Sequence, residues 1–396
     1  MINFLPEAKK LFPYTQSLRR DFHTHPELGF KEIRTGGIVA KELESLGIEV
    51  TKGVGKTGVV GMLEGGKPGP TLLLRFDMDA LPIIEDTDAE YASQTQGIMH
   101  ACGHDGHTAI GLTVAKLLYA QRNELAGNIK FCFQPSEEGF NGEEVGGAEM
   151  MMRDGVLDAP KVDMSLSLHL WNEKPLGWIG VAKGPIMAGA EQFIIKLTGK
   201  GGHGAVPNLT IDPIVAAAHV ITALQTITSR NVGPLQAAVV TVTTVHSGTA
   251  FNVIPQEAEL TGTIRTFDLA VRKKVFERFD QIVRGVAESL GCQVQIDIVR
   301  VTPALINNDE IAAKVQQAAH NVLPDADHDD AAYLTMGAED MAFMQEKVPG
   351  CYFFIGSNNK EKHLDYGHHH PKFDFDEEAL TRGAALMAAA AAEILK

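Results

Sequence analysis

Between Gly97 and Ala109 the chain reads GIMHACGHDGHTA, which gathers His100, Cys102, His104, Asp105 and His107 into a few turns of chain. A thiol and an imidazole one residue apart, Cys102 and His104, can serve as two ligands from one loop. Thiolate and imidazole suit a borderline or soft divalent ion, and binding keeps the thiol deprotonated. The pair alone equally describes a polar loop with a buried thiol. Three further stretches supply what a metal centre needs. QPSEEG places Glu137 and Glu138 side by side after an apolar run. Neighbouring acids often mean a solvated loop, but beyond a buried strand they suit a ligand beside a base. SLSLHLW sets His169 in an apolar run, where the alternative is a hydrogen-bonded core histidine. GHHHPKFDFD carries His368, His369 and His370, of which some could simply be exposed. Together these groups offer the donors for two metal ions with one glutamate over. A carboxylate free to take a proton from water points to hydrolysis rather than to a structural metal site.

The elements that must position these groups are legible from periodicity. Residues 1–46 read as two helices, with Gly47 closing the second. TGVVGMLEG, TLLLRFDMD, NIKFCFQP and DMSLSLHLW read as strands, with helices expected over Thr108–Gln121 and Glu143–Arg153. Apolar strands alternating with helices predict an α/β sheet covered on both faces. Acid or imidazole follows or ends several of these strands, where ligands gather in such sheets. After GWIGVAKGPIMAGA the order becomes β-α-β-β-α-β, that of a ferredoxin-like α+β domain. The chain then returns to helix, the strand GCYFFIGS and an Ala-rich terminal helix over Asp376–Lys396. The fold class expected is therefore α/β: a discontinuous mixed-sheet domain over 1–186 and 303–396, with a ferredoxin-like domain inserted over 187–302.

Composition narrows the function. A chain of 396 residues with 44% hydrophobic content is long enough for two cores. It contains no run of 18 apolar residues, and MINFLPEAKKLFPYTQSLRRDFHTH, without a basic start, an apolar stretch or a small-residue cleavage site, does not read as a secretory leader. Cys102, Cys132, Cys292 and Cys351 form no CxxC pair, which fits a reducing cytoplasm. A formal charge of −15 disfavours nucleic acid and anionic membrane as partners. A small anionic substrate then needs a local cation. Arg265 in GTIRTF is the candidate, since guanidinium holds a carboxylate bidentately; a strand-surface salt bridge is the alternative. His203 lies in the glycine-rich GKGGHGAVPN, where a histidine is ordinarily just exposed.

DFHTHPELGFKE, RFDMDALPI, MHACGHDGH, QPSEEG, GHGAVP, FNVIP and GTIRTFD, running in order from about residue 15 to 390, resemble the dinuclear-metal amidohydrolases of the aminoacylase/carboxypeptidase superfamily. The nearest branch in motif is that of hippurate hydrolases, N-acyl-amino-acid amidohydrolases and auxin-conjugate hydrolases. The resemblance implies two divalent ions, Mn2+ or Zn2+ with Co2+ and Ni2+ also compatible, on Cys102, His104, Glu138, His169 and His369. His369 begins the HHPKF pattern, and His370 is the second choice. Glu137 matches the base and Asp79 the aspartate that orients a ligand. His203 and Asn252 match groups at the oxyanion and substrate, His203 reaching across a dimer, and Arg265 matches the carboxylate anchor. The inserted domain then serves as lid and dimerisation surface. The expected activity is release of a carboxylic acid and an amino acid from a small N-acyl amino acid; the alternative is a dipeptidase or carboxypeptidase with the same centre. EEGFNGEEVGGAEMM departs from the family by a few extra residues after the glutamates.

Overall fold

The computed structural model describes residues 2–331 and 333–396, in two compact units: Met1–Gly184, Ile306–Tyr333 and Asp340–Lys396 form one, Pro185–Leu305 and Leu334–Glu339 the other. The first unit opens with α1 (Leu5–Thr24), α2 (Ile33–Ser45), β1 (Glu49–Val54), β2 (Gly58–Glu64) and β3 (Lys67–Asp77). There follow α3 (His104–Ala120), β4 (Ala126–Gln134), α4 (Gly147–Arg153), β5 (Met164–Pro175) and β6 (Trp178–Gly180). With the strands Asp327–Asp329 and Gly350–Asn358 they build an eight-stranded mixed sheet in the order β1, β2, β4, β3, β5, Gly350–Asn358, β6, Asp327–Asp329.

The central strands β4, β3, β5 and Gly350–Asn358 are mutually parallel, and β1, β2 and β6 pair antiparallel around them. Parallel strands are covered on both faces, which is why Thr71–Asp77 and all of Gly350–Asn358 are buried and largely apolar, with Arg75 and Asp77 the buried charges of the first run. From β3 the chain crosses through α3 to β4 on one side, then returns through α4 to β5 on the other. Such a reversal leaves a crevice at the carboxyl ends of the strands. Asp77 ends β3 opposite Gln134, which ends β4.

Two helices start later or earlier than their patterns suggest. The second expected helix begins at Gly147 rather than Glu143, because Gly139, Asn141 and Gly142 adopt positive φ and hold 139–146 as a loop. α3 begins at His104 rather than Thr108. Gly103, at φ +93°, turns the chain sharply into the helix, a conformation that a side chain would strain. The polar first turn of α3 is buried, so no amphipathic stripe marks its start. The terminal helix Glu378–Ile394 is buried along most of its length. Small alanines let it enter one core with Ile110, Leu112 and Leu118 of α3 and with Ile311 and Val315 of the helix Asp309–Val322. No described helix is long and apolar enough to cross a membrane.

The second unit is a four-stranded antiparallel sheet in the order Ala238–Ser247, Glu257–Thr266, Gly189–Thr198, Gln293–Thr302. Phe193, Ile195 and Leu197 alternate inward and share a core with Val220 and Leu224 of the helix Pro213–Thr226 and with Val275, Phe279 and Val283 of the helix Leu269–Ser289. Asp212 and Asp268 cap the two helices by accepting from backbone N–H groups of the first turn.

Candidate active site

The crevice at the strand ends of the first unit collects the groups that stand far apart in sequence. Ligand atoms of Cys102, His104 and His169 lie within 4.8 Å of one another, as do those of Cys102, Glu138 and His369, and those of His104, Glu137 and Glu138. The groups overlap at Cys102, His104 and Glu138, so they form one continuous donor cluster. Cys102 Sγ is 3.5 Å from His169 Nε2, and His369 Nε2 is 3.2 Å from Glu138 Oε1. Local structure explains the convergence. Gly103 separates Cys102 from His104 by a tight turn, and the backbone N–H of His369 donates to Ala101 O at 2.8 Å, which draws the C-terminal segment onto the same loop.

Neighbouring groups set the tautomers. His104 Nδ1 faces the Asp79 carbonyl at 3.0 Å and its Oδ1 at 3.2 Å, so Nδ1 carries the proton and Nε2 is left for a ligand. His169 Nδ1 donates to Leu170 O at 2.7 Å, which frees its Nε2 in the same way. Asp79 also accepts from the Glu138 N–H at 3.0 Å, so one carboxylate orients two members of the cluster.

Whether these residues suit a metal can be judged from their unmet demands. His104 Nε2 is buried without a hydrogen-bond partner, its nearest carboxylate oxygens being Asp77 at 3.8 Å and Glu138 at 3.9 Å, which is costly unless something else occupies the space between them. Burial raises the Cys102 thiol well above its usual value, and Glu138, Glu137 and Asp77 push it further. Burial opposes a charge on His104, yet Asp77, Asp79 and Glu138 outweigh it and raise its pKa to about 10. The acids thus call for positive charge at this spot, and a cation among soft and hard donors would meet that demand. The residues fit a divalent metal.

His370, the second choice, stacks on Tyr366 at 4.6 Å and accepts the Lys372 N–H through Nδ1, outside the donor groups. His368 accepts the Asn172 N–H through Nε2 at 3.1 Å. Of the opening cluster, Asp105 pairs with Arg19 at 2.8 Å and His23 at 2.8 Å, and His100 is buried in the same layer.

Several residues beside the site have no role assigned from sequence, including His107, which stands in the opening cluster. His107 Nδ1 donates to Asp77 at 2.6 Å and its Nε2 accepts the Leu170 N–H at 2.9 Å, so it props the strand that carries His169. Arg75, fully buried, binds Asp77 at 2.5 Å and Asp340 at 2.9 Å, and the Asp340 N–H donates to Glu137 Oε1 at 3.4 Å. A signal for some of them existed. Asp77 and Asp79 are two apart at the end of a strand, and His104 and His107 are three apart at a helix start, so each pair shares a face.

In the second unit the short strands Gly202–His203 and Val253–Ile254 pair, with His203 opposite Val253. This sets His203 beside the segment of Asn252, whose carbonyl accepts the Gly204 N–H at 2.8 Å; both residues are exposed. His203 Nδ1 accepts the Ala205 N–H, which leaves Nε2 free of that turn. Arg265 is half-buried on the strand Glu257–Thr266, opposite Ala190 and Val239. Burial lowers its pKa, and Glu191 acts in the opposite sense.

Comparison with known proteins agrees with this chemistry. Residues 73–393 match the family model of peptidase family M20/M25/M40. The N-acetylcysteine deacetylase of Bacillus subtilis is 40% identical over 381 residues, covering 96% of each chain. Thermostable carboxypeptidase 1 of Saccharolobus solfataricus is 39% identical over 380 residues, covering 96% of this chain and 94% of that protein. The crystal structure of the Bacillus subtilis YXEP protein, described as a dinuclear metal binding peptidase from the M20 family, superposes with a TM-score of 0.85 at 36% identity, covering 98% of this chain and 99% of that one. Sequence similarity and fold run together through both units, and on that ground the chain belongs to peptidase family M20/M25/M40 and is a hydrolase.

Proposed function

We propose that this hydrolase cleaves the amide bond of N-acyl amino acids, releasing a carboxylic acid and a free amino acid. The observation that carries the reading is Glu137, a carboxylate beside the donor cluster, held by a backbone N–H at 3.4 Å and close to His104 and Glu138. A site for metal alone needs no such base. Cys102, His104, Glu138, His169 and His369 would hold two divalent ions, Mn2+ or Zn2+ with Co2+ or Ni2+ also suited. When bound, such ions supply Lewis acidity toward water and an amide carbonyl. Glu137 accepts the proton of the attacking water as the new C–O bond forms. It then returns that proton to the nitrogen as the C–N bond breaks, so the amine leaves neutral. Asp79 keeps His104 in the tautomer that presents Nε2.

The second unit supplies the remaining roles in this reading. His203 stabilises the oxyanion, and Arg265 and Asn252 hold the amino-acid side, Arg265 through the α-carboxylate. The domain over 187–302 is read as a ferredoxin-like lid and dimerisation domain between catalytic halves at 1–186 and 303–396. Its strand order, with two helices sharing one core, supports the ferredoxin-like description. The oligomer is then a homodimer or built from dimers, with His203 serving the partner's site. Four buried, unpaired cysteines support a cytoplasmic setting.

The test is acid and amino-acid release from a panel of N-acetyl, N-benzoyl and indoleacetyl amino acids, with protein loaded in turn with each of the four metals. Turnover of acylated substrates over dipeptides with free amino groups is expected. A second reading, carboxypeptidase or dipeptidase action, is favoured by the relative named as a carboxypeptidase. Faster turnover of the dipeptides would replace the first reading by the second.

A further inference from the structure

The motif DFHTHPELGFKE lies at the corner between α1 and α2, outside the donor cluster, and the mechanism above leaves it without a task. Glu32, its last residue, is fully buried. One carboxylate oxygen accepts the Ser136 N–H at 2.9 Å and the other accepts the Thr57 hydroxyl at 2.5 Å. Ser136 immediately precedes Glu137 and Glu138, and it sits at φ +48°, a left-handed conformation that a non-glycine residue holds only when its surroundings impose it. The same corner presses on the turn directly. A Cβ added to Gly29 would come within 2.4 Å of Ser136 Oγ and 2.8 Å of Ser136 Cβ. On the far side, Asp79 accepts the Glu138 N–H at 3.0 Å. The segment 136–138 is therefore pinned at its two ends by buried carboxylates, Asp79 toward the cluster and Glu32 away from it.

We propose that Glu32 is a positioning residue for the Glu137–Glu138 pair: its hydrogen bond to the Ser136 N–H holds the left-handed turn that aims Glu138 at the donor cluster and Glu137 at the reacting water. The proposal rests on the reading of Glu138 as a ligand and Glu137 as the base. Glu32 acts through the Ser136 backbone, with an acceptor atom rather than a charge. Burial, helped by the nearby Asp79, raises its pKa to about 7, so a neutral amide of the same shape is a fair replacement. In Glu32→Gln the amide oxygen can still accept from Ser136, and the NH2 can donate to the Thr57 hydroxyl. Glu32→Leu leaves the buried Ser136 N–H and the partly buried Thr57 hydroxyl without that acceptor. Thr57→Val removes the other anchor of the carboxylate and touches neither glutamate.

The experiment measures Co2+ affinity by chelator competition on metal-stripped protein, together with kcat and KM of the loaded protein, for these three variants. Removing an outer partner of a ligand weakens metal affinity or activity by about 10- to 100-fold, and that range is expected for Glu32→Leu with KM little changed. Thr57→Val should move both quantities in the same direction by a smaller factor, and Glu32→Gln should stay within about threefold of wild type, since it keeps the acceptor. Wild-type Co2+ affinity and kcat in a folded Glu32→Leu protein overturn the proposal. If that variant does not fold, wild-type values in Thr57→Val do the same. Glu32→Gln as impaired as Glu32→Leu also overturns it, because the acceptor is then not what matters. A wild-type protein that binds Co2+ but hydrolyses no N-acyl amino acid removes the proposed function instead, and the Co2+ affinities alone then decide the role of Glu32.

Discussion

At the scale of single residues, the roles proposed for Glu137 and Cys102 separate by substitution. Glu137→Gln keeps the size and polarity of the side chain but cannot take a proton. Turnover should fall by about 100- to 10,000-fold, the usual contribution of a positioned acid–base group, while metal content stays at the wild-type level. Paired measurement of kcat and metal stoichiometry checks this, and near-normal turnover with full metal would remove Glu137 from the chemistry. Cys102→Ser addresses the donors instead. Cys102 belongs to two of the overlapping groups, and a neutral hydroxyl binds a soft or borderline ion far more weakly than thiolate does. Metal occupancy should drop, chelator should abolish wild-type activity, and added divalent ion should restore it. Full occupancy in the Ser variant would make Cys102 a structural thiol.

At the scale of elements, the first turn of α3 is held from behind by a buried ionic layer. Arg19 of α1 is fully buried, pairs with Asp105 at 2.8 Å and Asp374 at 2.6 Å, and lies over the Tyr91 and Phe375 rings. It thereby joins α1, α3 and the segment before the terminal helix. Removing one partner of a buried ion pair leaves an uncompensated charge, so Arg19→Met should cost about 3–5 kcal/mol in urea unfolding at neutral pH. A loss below about 1 kcal/mol, the worth of a surface pair, would mean that the layer is hydrated. The same layer gives stability a pH dependence. Burial and the Arg19 charge oppose protonation of His23, but Asp105 and Glu85 overcome them and raise its pKa to about 9. A raised histidine contributes stability that is complete below its ordinary value near 6.5 and is lost as pH climbs through about 9. Unfolding free energy should therefore decline between pH 7 and 9.5 in wild type, and His23→Gln should flatten that slope. An unchanged slope in His23→Gln would exclude His23 as its source.

At the scale of the whole molecule, the proposed transfer of His203 between subunits makes a prediction that no single chain can satisfy. Glu137→Gln and His203→Ala homodimers should each be nearly inactive. In a mixed dimer, the site on the His203→Ala chain keeps its own Glu137 and receives His203 from its partner, so it works. The other site lacks both groups. Co-expression of the two variants should then restore activity, with one competent site per mixed dimer. Mixed dimers that form, as shown by tagged co-purification, but stay inactive would place His203 with its own subunit or outside catalysis.

Most of the elements and the local donors are legible in the sequence. Alternating and continuous apolar runs marked the main strands to within a few residues, because burial on one or both faces repeats along the chain. Cys102 with His104, and Glu137 with Glu138, were legible because each pair is contiguous and chemically conspicuous. Residue type and spacing do not say which distant groups meet; the motif resemblance prefers His369 to His370, and the fold supplies the physical reason. His369 rather than His370 joins Cys102 and Glu138, although the two are adjacent and identical in type, because backbone pairing to Ala101 sets one beside Glu138 and leaves the other on Tyr366. The props behind the site, Arg75 with Asp340, His107 with Leu170 and Glu32 with Ser136, were invisible for the same reason. Each is a hydrogen bond across 60 residues or more, and periodicity reports which face of an element is buried, not which polar partner waits for it there.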